Sequence, residues 1–331
     1  MRVEHAERLD RPVVGEVLEL THAAGDADGA YPLSEHVVLH LRHGGDLRAV
    51  HLLVRDDSSG RLVGYAHVDT TDPVEGASAE LCVHPGYRRR GLGRALLTEA
   101  IAVAGGTSRL RLWAHGDHPS ASALALSMGF ERGRVLWQMR RSLYAPVPAP
   151  QLPPGVRLRA FRPGVDDDAW VALNAAAFAD LPDQGRWSRA DLRLRLAEPW
   201  FDPAGFLIAE RSAAGSRGPG GTELLGFHWT KVHGEVPSDV PSGVPTEPLP
   251  PGPAPHAHDP IGEVYVLGVL PAARGTGLAA ALTLAGLRHL RARGLDQVML
   301  YVDEANPRAI SLYQELGFAR WSTDVCFRRT V

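Results

Sequence analysis

The chain reads as an α/β protein built from two tandem domains, each a mixed central sheet flanked by helices. Three observations predict this. First, a run of apolar and β-branched residues, Val264 to Val269, meets a Pro turn and then Arg274-Gly275-Thr276-Gly277-Leu278-Ala279, which opens an Ala/Leu-rich helix. Second, the same order occurs earlier, where Ala79-Glu80-Leu81-Cys82-Val83 runs into HPGYRRRGLGRALL with Arg88, Gly91 and Gly93 at the same spacing. Third, the copies stay in step: Val83-x-Pro85 and Val269-x-Pro271 are 186 residues apart, and Gly129-Phe130 and Gly317-Phe318 are 188 apart. Each half thus carries strand, glycine loop, helix, strand, helix, Gly-Phe and final strand. A length of 331 residues suits two such domains, and the repeat is far too long for a solenoid.

From the N-terminus, Pro12 to Ala23 has helical character, and Ser34-Glu35-His36 caps a second short helix before the apolar run Val37 to Leu41. Leu47 to Val54 and Leu62 to Val68 read as strands around an Asp-Asp-Ser-Ser-Gly turn. The first copy of the motif then completes a domain over residues 1–143. Residues 144–155, YAPVPAPQLPPG, form a linker, because prolines remove backbone donors and favour extended polyproline geometry. The second domain, 156–331, holds a Pro-rich insertion at about 234–260, between the strand carrying Lys231 and the strand starting at Glu263. It has too little apolar content to fold alone, so a surface insertion is expected.

Composition narrows the function classes. Apolar content of 44% and charged content of 22% describe a soluble globular protein. A net charge of −3 argues against a general nucleic-acid binder. No apolar run reaches transmembrane length and MRVEHAERLD has no signal-type apolar region, so a cytoplasmic protein without membrane partners is expected, and a monomer. Cys82 and Cys326 sit in apolar strand-like runs and read as buried free thiols. His233 and the pair His256-x-His258 read as solvated histidines, with no fixed third and fourth ligand to make a metal site. Lys231 is the only lysine.

The glycine loops favour an anion. Glycine lets backbone approach a phosphate, while the first turn of the following helix offers unpaired N–H groups and the positive end of its dipole. A pyrophosphate is the natural guest. No Gly-Lys-Ser/Thr follows, and the spacing is not GxGxxG.

The copies disagree at two places. Position for position, Glu263 pairs with Ala77 and Tyr313 with Ala125, so an acid and a phenol occur only in the second half. Acyl transfer from a thioester to an amine needs a base to deprotonate the amine, backbone N–H groups for the oxyanion and a proton donor for the departing thiolate. Glu263, the backbone of Leu267 to Val269 and Tyr313 supply these in order. The same residues also read as a solvated strand-end carboxylate and a core-packing aromatic.

PLSEH, WTKVH, GEVYVLGV, MLYVDEANPRAISLYQELGF and the two Arg-x-x-Gly-x-Gly/Ala loops closely resemble the mycothiol synthase family of tandem GNAT acetyltransferases, over nearly the whole chain. The resemblance implies two GNAT-like domains, acetyl-CoA as cosubstrate, no metal, and acetyl transfer to the cysteinyl amine of Cys-GlcN-inositol. It would place acetyl-CoA contacts in the first half at Leu81, Cys82, Val83, Arg89, Arg90, Gly91, Leu92, Gly93 and Arg94, in a domain that binds without turnover. In the second half they would be Leu267, Gly268, Val269, Arg274, Gly275, Thr276, Gly277, Leu278, Ala279 and Ala280, then Asn306, Pro307, Arg308, Ala309, Ile310 and Ser311. Substrate contacts would be Glu35, Asp183, Lys231, Glu263 and Tyr301, with Glu263 as base and Tyr313 as acid. Asp183 stands where the family has glutamate, and Ala279 replaces a glycine, which is tolerable at negative φ. Transfer to another amine, such as an aminoglycoside or a protein N-terminus, and acetyl-CoA sensing without catalysis are the alternative readings.

Overall fold

A computed structural model describes residues 2–43, 49–71, 76–106, 109–179, 182–212, 222–233 and 260–330. The insertion at about 234–260, with His256 and His258, lies outside the described residues apart from its last position. The chain forms two compact units: residues 1–137, 303–305 and 322–331, and residues 138–302 and 306–321.

The first unit runs β1 (Val3–Ala6), α1 (Arg11–Asp28), α2 (Glu35–His43), β2 (Ala49–Arg55), β3 (Leu62–Asp69), β4 (Ala77–Val83), α3 (Leu92–Val103), β5 (Arg109–Ala114) and α4 (Pro119–Ser127), then enters β6 (Glu131–Ser142). Asp10 caps α1 by accepting from the Val13 N–H, and Gly29 at φ 70° ends it, a left-handed conformation that favours glycine. The run Val37 to Leu41 lies within α2 rather than after it. Val37 and Leu41, four apart on one helical face, pack in one cluster with Val17, Leu20 and Tyr65. Strands β1 to β4 form an antiparallel meander, and β5 joins β4 in parallel. Helix α3 buries Leu92, Leu96, Leu97 and Ala100, the period-3.6 stripe of its sequence.

The second unit contains β7 (Val156–Ala160), α5 (Asp167–Ala177), the single turn α6 (Pro182–Gly185), α7 (Arg189–Leu196), β8 (Phe206–Ser212), β9 (Thr222–His233), β10 (Ile261–Val269), α8 (Leu278–Ala292), β11 (Gln297–Asp303) and α9 (Pro307–Glu315). Its strand order is β6-β11-β10-β9-β8-β7. Ser188 and Asp191 form a capping box on α7. Trp170, Phe206, Phe227 and Trp229 make a fully buried aromatic core, with Phe206 stacked on Trp229 at 4.3 Å. The last strand, β12 (Ala319–Thr330), pairs antiparallel with β5 through Val325 to Thr330, so the end of the second sequence copy completes the first unit's sheet. Cys82 and Cys326 are buried free thiols, and burial pushes the Cys82 thiol up to about 12.

Candidate active site

The glycine loop of the second unit has the geometry its sequence predicts. After Val269 a short turn, Pro271–Ala273, leads to Gly275 at φ 78° and Gly277 at φ 84°. A Cβ at either would meet nothing within 4 Å, so the left-handed backbone, not crowding, requires glycine. Thr276 donates its hydroxyl to the Ala273 carbonyl at 2.8 Å, and the Arg274 guanidinium donates to the Ala177 carbonyl at 3.0 Å, holding the loop against the end of α5. No side chain caps α8, which leaves its first-turn N–H groups for a ligand. Ala279 lies inside α8 and is not among the positive-φ residues, so its missing glycine costs nothing in backbone strain.

The loop of the first unit repeats this backbone. Gly91 sits at φ 85° and Arg89, the counterpart of Gly275, takes φ 61° although it is not glycine. Arg88 is held by Asp28 through two hydrogen bonds of 2.6 and 2.8 Å, Arg90 lies over the Tyr87 ring, and Arg94 donates to Ser127. Helix α3 likewise has no side-chain cap.

Strand β10 is prepared for an extended ligand. It pairs with β11 only through Gly262 to Val264, against Val298 to Leu300, and then runs on to Val269. Beyond Val264 the edge turned away from β9 carries no ladder partner among the described residues, which leaves backbone groups of Leu267, Gly268 and Val269 for a ligand. On the β9 side the register shifts between Val264 and Val266, making Tyr265 a bulge residue. In the first unit β4 leaves β5 after Ala79, placing Leu81, Cys82 and Val83 equivalently, but the β3–β4 ladder has no such shift. The bulge therefore distinguishes the copy that carries the acid.

Glu263 lies on β10 directly across from Lys231 of β9 and beside Met299 of β11. Tyr301, two residues further along β11, shares that face; it is exposed, and its hydroxyl accepts from Gln138 Nε2 at 2.8 Å. Three of the sequence-predicted substrate residues, Lys231, Glu263 and Tyr301, are thus brought to adjacent strands by register. The Glu263 carboxylate is buried, and His233 Nε2 lies 2.7 Å from its Oε2. Burial alone would raise the Glu263 carboxyl; the hydrogen bond and charge of His233, then Lys231, bring it below the usual carboxylate range. The Lys231 ammonium stands 4.7 Å from the Trp200 ring centroid and 5.3 Å from that of Tyr265, whose hydroxyl accepts from Arg195 Nε.

His233 corrects the reading of a solvated histidine: it is half-buried and bonded to the candidate base. The signal was its position two residues after Lys231 on one strand, hence on the same face.

Tyr313 lies on α9, 8% exposed, its ring against Phe318 at 5.8 Å, and burial raises its hydroxyl well above its ordinary range. It makes no hydrogen bond with Glu263. Asn306 caps α9 by accepting from the Ala309 N–H at 3.1 Å, so Asn306 to Ser311 form the first turn of a helix following β11. The counterparts Ala77 and Ala125 are fully buried in the first unit's apolar core. Glu35 opens α2 of the first unit, half-buried. Asp183 lies in α6, its side chain outside the described residues. Among the described residues no group of three or more His, Cys, Asp or Glu is arranged to hold a metal.

Comparison with known proteins agrees with the fold. The profile of the Acetyltransferase (GNAT) family matches residues 174–318, and that of the Acetyltransferase (GNAT) domain matches 48–132. Among solved structures, a tandem GNAT protein from the clavulanic acid biosynthesis pathway shares the fold with TM-score 0.69 at 22% identity, covering 99% of this chain and 98% of that one. A GCN5-related N-acetyltransferase from Sphaerobacter thermophilus does so with TM-score 0.66 at 23% identity, over 99% and 95%. Fold and site thus define an N-acetyltransferase with two GNAT domains.

In sequence the chain is 55% identical to the mycothiol acetyltransferase of Streptosporangium roseum over 99% of both chains. It is 56% identical to that of Salinispora arenicola over 99% of this chain and 97% of the relative. The chain belongs to the mycothiol acetyltransferase family.

Proposed function

We propose that this protein transfers the acetyl group of acetyl-CoA to the cysteinyl amine of Cys-GlcN-inositol, giving mycothiol and CoA, with one active site in the second unit. The observation that carries the proposal is Glu263: a buried carboxylate held ionised on the bulged strand, where the other copy has the core residue Ala77. Acetyl-CoA supplies an acyl thioester. The uncapped start of α8, with Arg274 to Ala280, would hold its pyrophosphate; the open edge at Leu267, Gly268 and Val269 would hold its extended arm and carbonyl oxygen; Asn306 to Ser311 would flank it. Glu263 takes a proton from the attacking amine, directly or through water. The reference pKa of an α-amine is near ~8, so an appreciable neutral fraction exists around neutrality. Tyr313 gives its proton to the departing sulfur. Lys231 and Tyr301, on the strands flanking Glu263, complete the contacts to a hydroxyl-rich ammonium substrate, and the first unit's loop binds acetyl-CoA without turning it over. Acetyl-CoA being a cytoplasmic metabolite, the reaction is assigned to the cytoplasm; among the described residues no helix is long and apolar enough to cross a membrane.

The experiment is product analysis with purified protein, acetyl-CoA and Cys-GlcN-inositol, in competition with an aminoglycoside and a peptide N-terminus. The proposal expects acetylation of the cysteinyl amine to dominate. Preferential acetylation of either competitor, or acetyl-CoA binding with no transfer, overturns it.

A further inference from the structure

A buried general base has two requirements: it must be ionised before it acts, and the oxygen that takes the proton must be aimed. Glu263 meets neither by itself. Its side chain is 9% exposed, and burial works against ionisation. Its one side-chain hydrogen-bond partner among the described residues is His233, 2.7 Å away at Oε2 and 35% exposed.

Other groups around the carboxylate are engaged elsewhere. Lys231 on β9 lies over Trp200 and Tyr265, the Tyr265 hydroxyl on β10 accepts from Arg195 of α7, and the Tyr301 hydroxyl on β11 accepts from Gln138 of β6. Lys231 contributes charge, whereas His233 contributes a directed bond.

We infer that His233 is a positioning residue for the acetyl transfer: its Nε2–H donates to Glu263 Oε2, fixes the carboxylate plane and leaves Oε1 as the oxygen that receives the amine proton. This rests on the reading of Glu263 as base. The strand architecture makes the pairing precise. His233 stands two residues beyond Lys231 on β9, opposite Ile261, so both side chains approach the face of β10 that Glu263 occupies. The first unit lacks the arrangement, since Ala77 offers nothing to aim.

The test is steady-state kinetics of the full chain with acetyl-CoA and Cys-GlcN-inositol, as kcat against pH, for wild type, His233→Ala, His233→Gln and Glu263→Gln. His233→Ala is expected to lower kcat about 10- to 100-fold, less than the roughly 10²–10⁴-fold of a general base itself, and to move the acid limb of kcat to higher pH by one unit or more, while KM for acetyl-CoA changes less than about threefold. His233→Gln, which restores an N–H donor, is expected to recover most of kcat. The double variant with Glu263→Gln is expected to be no slower than Glu263→Gln alone, because one residue acts through the other.

An inactive Glu263→Gln together with an unshifted acid limb and unchanged kcat in His233→Ala overturns the role of His233 and leaves the base standing. An active Glu263→Gln removes the base itself. If His233→Ala does not fold, His233→Phe, which keeps a ring but has no N–H, takes its place: an acid limb moved to higher pH supports the role and an unmoved limb overturns it, since a purely structural role would not move the limb.

Discussion

Lys231 and Glu263 face each other across the β9–β10 ladder, the chain's only lysine beside the acid that the other copy lacks. Both are buried, at 8% and 7% exposure, and the ammonium lies against two aromatic rings rather than in water. A cation so placed favours the ionised carboxylate, and its loss leaves burial less opposed. Lys231→Met is therefore expected to move the acid limb of activity to higher pH and to lower kcat/KM at pH 7 by about tenfold or more, ~1.4 kcal/mol. The pH profile of the variant checks it.

Tyr313 is protonated at neutral pH as any phenol is, and burial disfavours its anion further. Tyr313→Phe keeps the ring that packs against Phe318, so the thermal midpoint is expected to stay within a few degrees. Turnover is expected to fall by roughly 10²–10⁴-fold, the usual contribution of a general acid. A parallel loss of folding would assign the residue to packing instead.

The two glycine loops predict an asymmetry. Gly277→Ala places an L side chain at φ 84°, costing about 1–2 kcal/mol of backbone strain at the phosphate loop, and is expected to raise the KM for acetyl-CoA several-fold. Gly91→Ala, strained to the same degree in the unit with Ala77 and Ala125, is expected to leave kcat within about twofold. Isothermal titration with CoA alongside kinetics separates the two effects.

The first unit carries histidines where the second packs aromatics. His51 faces His67 across β2 and β3, while Phe206 faces Trp229 across β8 and β9. Desolvation first, then neighbouring histidines, lowers His51 to about 4 and His67 to about 3. A histidine held neutral by the fold contributes its stability above its unfolded pKa of ~6.5, and that contribution is lost as pH falls through the folded values. Thermal midpoints should therefore drop between pH 6.5 and pH 4, and His67→Phe should reduce the drop. An identical acid response in the variant would contradict this.

The repeat was legible because its markers are backbone requirements: Gly277 and Gly91 mark left-handed helix entries, and Gly317 and Gly129 lie at φ 85° and 80° where the last helix of each copy turns into its final strand. Glu263 and Tyr313 stood out because a duplicated chain supplies its own comparison. The bulge at Tyr265 was not legible, since nothing in VYVLGV distinguishes an inserted residue from a regular strand. Nor was the partner of β12, because strand pairing at the end of a repeat is decided by tertiary contacts, and Val325 to Thr330 alternate no differently for one sheet than for another. His233 was misread because its partner lies on another strand, across an intervening segment too polar to suggest pairing.

Acetyl transfer in the second unit depends most on Glu263 as the base. Single-turnover acetyl transfer by Glu263→Gln, at saturating acetyl-CoA and Cys-GlcN-inositol, tests it directly. The prediction is a fall of about 100-fold or more in the transfer rate with acetyl-CoA binding retained; a rate within about threefold of wild type, a difference below ~1 kcal/mol, would contradict it.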